Sequence, residues 1–298
     1  MRAGRPCCTV RASLERETVY NLSQDTLISG PAMVYKGVVP AMERRLRKPP
    51  LLEALLELRW GLVQEQPGSP PLDPGYPVVV GLLYDRVKSD LPFIEDLPQS
   101  RLPPEVLQCV VTHRFRRAAG QWPLIQVGPG IASVNFVQDY AWGAFEPEAL
   151  RLIQALTAAF QLAASRELPF EKALLRYINA FEVATIGDGA LFFLRDSLHV
   201  KLELPPPGTS STGAPERFRL ETSFGLEVPK GLAILGAAVG QREGKAALFL
   251  DLSVQSSGRD IRFPEGFQAW LESAHRVVED WFFTLIAGPL ENRLQEED

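Results

Sequence analysis

The chain is poor in the residues that carry most recognisable enzyme chemistry. Its 298 residues include only three cysteines, three histidines and three methionines. Cys7 and Cys8 are adjacent and Cys109 sits in an apolar run, so there is no disulfide framework, and the usage fits a reducing, cytoplasmic setting. None of His113, His199 and His275 has a second His or Cys at ligand spacing, so no metal site is expected. No run approaches the roughly 18 apolar residues of a membrane-spanning helix, which argues against a membrane partner. Basic charge is not in excess either: 31 Lys and Arg face 36 Asp and Glu, a formal net charge of -5. Such a chain is not built to coat nucleic acid nonspecifically, although a local basic groove is compatible with it. Ser-His-Asp order, GxSxG, HExxH, a phosphate loop and a dinucleotide fingerprint are all missing, and no acid pair stands out for glycoside work. No cofactor is therefore expected.

What is there is an ordinary globular composition, 46% hydrophobic and 22% charged. The length allows one large domain or two modest ones. Residues 1–41 lack sustained periodicity and carry five basic against three acidic residues. They read as a disordered or non-native leader, with a natural start at Met42. Residues 42–168 and 169–298 then form two halves, separate or fused into one continuous domain.

Alternation and helical stripes outline the elements. LLEALLELRW places Leu56, Leu58 and Trp60 on one face of a strand and Glu57 and Arg59 on the other. A helix from Pro77 to about Ser89 carries Val79, Leu82, Leu83 and Val87. Residues 106–117 read as a strand that turns at 118–121 into WPLIQVGPGIASVN, one long strand interrupted by Gly128-Pro129-Gly130. A proline between glycines there forces a structural bulge, a bend or an edge position. Leu150, Ile153, Leu156 and Phe160 mark a long helix at 145–165. Residues 173–183 read as a strand, 190–197 as a short helix, 199–204 as a strand and 205–215 as a loop. Residues 216–228, 231–241 and 246–255 follow as three antiparallel strands. Pro264 to Leu294 is a long helix, kinked at Gly288-Pro289, with Phe267, Leu271, Val278, Phe282 and Leu285 on one side. The class is α+β, with antiparallel sheet covered by long helices. Element order repeats between 52–165 and 171–294, and ALLELRW at 54–60 echoes ALLRYIN at 173–179, which suggests two tandem duplicated strand-helix-hairpin-helix units.

Candidate binding residues are Arg176, Tyr177, Asn179 and His275. On a strand Tyr177 and Asn179 share a face and Arg176 points away. His113, Arg114, Arg116 and Arg117 could meet an anion, though a solvated strand explains them too. Asn135 reads as a turn or helix-entry residue, and Asp251 as a solvent-facing acid. No catalytic residue is assigned.

Three motifs carry a resemblance: PPLLEALLELRW at 49–60, WPLIQVGPGIASVN at 122–135 and RYIN at 176–179, with LESAHRVVEDWF at 271–282 in support. Together they resemble a sporadically distributed bacterial and archaeal family, over about residues 48–288. The resemblance implies a start near Met42. That family has no established activity, so it brings no catalytic residues. Two functions are expected: a non-catalytic binding or assembly protein for a protein or nucleic-acid partner, or an enzyme of unfamiliar type with a pocket near Arg176, Tyr177, Asn179 and His275.

Overall fold

The computed structural model describes residues 44–137, 140–164, 167–186, 188–202 and 217–296. The expectations for residues 1–41, Met42, Cys7, Cys8 and the 205–215 loop lie outside them. Period-2 alternation builds nine strands: β1 (Leu51–Trp60), β2 (Phe93–Asp96), β3 (His113–Arg116), β4 (Leu124–Gly128), β5 (Ile131–Phe136), β6 (Phe170–Glu182), β7 (Arg219–Glu227), β8 (Lys230–Arg242) and β9 (Lys245–Ser257). Five helices intervene: α1 (Tyr76–Val87), α2 (Trp142–Ala164), α3 (Asp188–Ser197), α4 (Phe267–Ile286) and α5 (Pro289–Gln295). The strands form a single antiparallel sheet in the order β2-β3-β4-β5-β1-β6-β9-β8-β7. Leu46–Asp298 is one compact unit. No helix among the described residues is long and apolar enough to cross a membrane.

The two long strands β1 and β6 pair at the centre. One row of partners runs across the sheet from there. Leu56 meets Leu175; outward on one side lie Val134, Ile125 and Phe115, and on the other Val254, Ala233 and Phe224. Leu56, Leu58, Val134, Leu175, Leu250 and Leu252 from this face are buried in one cluster with Val79 and Leu83 of α1, Leu152 and Phe160 of α2, and Leu271 and Val278 of α4. Each such side chain is worth about 1.5–3 kcal/mol of burial.

Several elements differ from expectation, each for a local reason. The 124–136 segment is a tight hairpin and not one interrupted strand. Gly128 pairs with Ile131, so Pro129-Gly130 is a two-residue turn. Pro fixes φ at the first turn position and Gly130 supplies φ +77° at the second. Residues 106–117 are strand only at His113–Arg116, because a 3-10 turn at Pro104–Val106 and a positive φ of +53° at Cys109 divert the chain. β2 was not foreseen, since prolines on both sides mask a four-residue strand. His199 has φ +55°, and no strand forms at 199–202. The final helix is two: Gly288 at φ +94° ends α4 and Pro289 opens α5. Phe283, not Phe282, is the buried member of the α4 stripe.

Candidate functional site

The sheet face opposite the apolar cluster sets polar and charged side chains among Leu55, Leu124, Ile131, Leu174 and Ile178. Because side chains alternate, every strand that sends Leu or Val into the core presents its intervening residues here. A hydrogen-bonded chain crosses four strands of it. Arg114 Nε of β3 donates to Gln126 Oε1 of β4 (2.9 Å), whose Nε2 donates to Asn135 Oδ1 of β5 (2.9 Å). Asn135 Nδ2 donates in turn to Glu53 Oε1 of β1 (2.6 Å). Ser133 Oγ donates to the same Asn135 oxygen (2.7 Å). At one end Arg116 and Arg114 reach Glu95 of β2 at 3.0 and 3.8 Å. Toward the centre Arg59 Nε donates to Glu57 at 2.7 Å, both buried. Arg176 Nε of β6 donates to both oxygens of Asp251 on β9 (2.9 and 2.8 Å).

The electrostatics follow from this arrangement. Burial works against the Arg176 guanidinium, but the Asp251 hydrogen bonds and charge outweigh it and raise its pKa. Glu53 and Glu57 add to that pull. Burial lowers Arg114, with Glu95 opposing. Lys172, on the same face of β6, is lowered by burial and by the charge of Arg59. It has no acid within ion-pair distance among the described residues, unlike the arginines around it.

Asn135 and Asp251 thus have different roles from those their local sequence suggests. Asn135 lies inside β5, 3% exposed, at the junction of the chain, and is not a turn residue. Asp251 is an ion-pair partner, not a free solvent-facing acid. Arg114 and Arg116 are engaged by Glu95, while Arg117 stands exposed at the strand end.

The four candidates divide between the two faces. Tyr177 and His275 meet on the core side, where the Tyr177 hydroxyl lies 3.0 Å from His275 Nδ1 and 2.6 Å from the Tyr140 hydroxyl. His275 stacks on Trp142 with ring centroids 3.8 Å apart. Burial, then the neighbouring Tyr140, raises the Tyr177 pKa well above normal, so its phenol stays neutral and serves as a hydrogen-bonding group. Asn179 is buried on the same side, two residues along β6. Arg176 is on the opposite, polar face. The four therefore do not line one pocket.

A second polar knot lies at the β4–β5 turn. Asp73 Oδ2 accepts from Trp60 Nε1 (2.8 Å) and from the Gly130 amide (3.3 Å), tying the turn to the end of β1. It explains the glycines structurally. A Cβ on Gly128 would stand 1.9 Å from the Val110 carbonyl oxygen, and one on Gly130 2.9 Å from Leu62.

Glu53, Gln126, Ser133, Lys172 and Ser253 were not singled out from sequence. Their signal is the polar member of each alternating pair in strands whose apolar members are deeply buried. No group of three or more His, Cys, Asp or Glu among the described residues is placed to hold a metal ion. No family model, curated protein or solved structure matches this chain.

Proposed function

We propose that the protein is a binding or assembly protein whose polar sheet face engages a protein partner. The observation that carries this reading is the cross-linked polar face itself. Its part-exposed members, Glu95, Arg114, Arg176 and Asp251, are held on a rigid sheet by buried Ser133, Asn135, Glu57 and Arg59 beneath and between them, the arrangement from which a specific contact is built. The chemistry favours a protein over nucleic acid. Arg59, Arg114, Arg116 and Arg176 each already face a carboxylate, which leaves little of the uncompensated positive field that phosphates require. The division of Arg176 from Tyr177 and His275 weighs against the alternative of an enzyme pocket around those residues. We also propose that the chain belongs with the sporadic bacterial and archaeal family that its motifs at 49–60, 122–135 and 176–179 resemble.

The reading includes a tandem duplication. Outward from the centre the strands run β1-β5-β4-β3 and β6-β9-β8-β7. The central row reads Leu, Val, Ile, Phe on one side and Leu, Val, Ala, Phe on the other. The neighbouring Ser133 and Ser253 also correspond. A pseudo-twofold axis between Leu56 and Leu175 relates the two series, and it is the axis on which ALLELRW overlies ALLRYIN.

The test is capture of partners by the tagged full chain from its native host, with and without nuclease. A protein retained after nuclease treatment is the expected result. Loss of all capture on nuclease treatment would place nucleic acid at the site instead.

A further inference from the structure

The two ends of the sheet are not finished alike. In the central row Phe115 of β3 and Phe224 of β7 occupy matching places, yet β3 is followed outward by β2, whose Ile94 pairs with Phe115. Nothing among the described residues pairs with the outer edge of β7, so alternate residues of this nine-residue strand present open backbone donors and acceptors. Large apolar side chains are exposed along it, Phe224 at 54% and Val228 at 76%.

We propose that this edge docks a second copy of the chain, strand to strand and antiparallel, about a twofold axis through Ser223. The sequence of β7, RLETSFGLE, is complementary to itself in that register. Arg219 falls opposite Glu227 of the second copy, and symmetry repeats the pair. On the polar side Ser223 meets Ser223 and Glu221 meets Gly225. On the core side Leu220 meets Leu226 and Thr222 meets Phe224, and Phe218 is brought to the exposed Val228. Neighbouring registers lack this match. Centring on Phe224 sets Glu221 against Glu227 twice, a like-charge contact that destabilises. Centring on Thr222 sets Arg219 against Gly225 and finds an opposite charge for Glu227 only in Arg217, which lies outside β7. The attractive pairs and the rejected alternative together select one arrangement. The edge that β2 covers in one half is thus covered in the other by the second molecule, giving one sheet continuous through both chains.

Sedimentation equilibrium of the full chain at micromolar concentrations reads the association, with thermal unfolding as the check on folding. Wild type forms a dimer. Arg219→Glu and Glu227→Arg each turn two attractive cross-strand pairs into two repulsive ones and weaken the dimer about tenfold or more. Mixing the two single variants restores association as a heterodimer, and the double variant R219E/E227R restores the homodimer. A monomeric wild type overturns the proposal. So does a dimer indifferent to both single changes, which would use another surface, or a β7 edge that pairs only with an extended segment of a different protein.

Discussion

The first half of the sheet carries an extra strand, β2, beyond β3 and a continuous polar chain; the second ends at β7, with nothing paired to its outer side among the described residues, and carries little of that chain. By register, the positions of Arg114 and Gln126 correspond to Ser223 and Ile234. The same strand order therefore supports two different surfaces. In the proposed reading, the first half and the central strands present the partner face, and the second half presents the edge at which copies meet. Backbone pairing sets the common frame, and the side chains at alternate positions, together with one extra four-residue strand, set the difference.

The largest expected contrast lies at the matched phenylalanines. Phe115 is 1% exposed, so Phe115→Ala should cost about 3–5 kcal/mol through lost transfer energy and a residual cavity. Phe224→Ala, at a half-exposed site, should cost only about 1 kcal/mol in the isolated chain. Denaturant unfolding of both variants measures this; equal losses would mean that the two edges are equally packed. Within α4, Phe283→Ala should likewise exceed Phe282→Ala.

The next contrast is between the corresponding hairpin turns. Gly130 at φ +77° lies against Leu62, whereas Gly244 at φ +79° has nothing within 4 Å of a built Cβ. Gly130→Ala should cost about 1–3 kcal/mol, and Gly244→Ala about 1 kcal/mol from the backbone alone. Thermal unfolding orders the two, and a reversed order would sink the packing explanation.

Across the centre, Arg176→Met removes the pair with Asp251, whose side chains are 26% and 29% exposed. A loss of roughly 1–2 kcal/mol is expected, restored in part by Asp251→Leu in the same chain. A double-mutant cycle showing no coupling would leave the pair without a stabilising role.

The smallest effect concerns pH. Burial lowers the His113 pKa below its usual 6.5, although Asp96 pulls the other way. The folded chain then binds this proton less readily than the unfolded one. Stability contributed by the neutral ring is present above about 6.5 and is lost as pH falls below it. His113→Gln should flatten that part of the stability profile, while the matching Thr222→Val leaves it unchanged. An unaltered slope in His113→Gln would place the titration elsewhere.

How much of this was legible in the sequence depends on the range of the interaction. The alternation in LLELRW, the stripes in α1 and α2 and the three strands after residue 217 are local signals, and they placed these elements closely. The α+β class followed. Turn chemistry was harder to read. Pro129-Gly130 satisfies a hairpin turn as readily as it breaks a strand, and the long apolar flanks concealed the reversal. The polar face was the least legible. Glu57 and Arg59 were visible as the back of a strand, but that Asn135 reaches Glu53, or Arg176 reaches Asp251, depends on pairings 82 and 75 residues apart. No local pattern carries that information. Tyr177 and His275, 98 residues apart, were brought together on one side as polar residues needing buried partners, while Arg176 went to the other.

The most direct measurement is quantitative partner capture by wild type and by the pair-swapped variant Arg176→Asp with Asp251→Arg, after thermal unfolding has shown both to be folded. The swap preserves an ion pair between β6 and β9 but reverses the charges displayed at the middle of the polar face. If that face holds the partner, the swapped protein keeps its fold and loses most of the nuclease-resistant capture. Equal capture by both proteins would contradict the proposal that the polar sheet face is the binding surface.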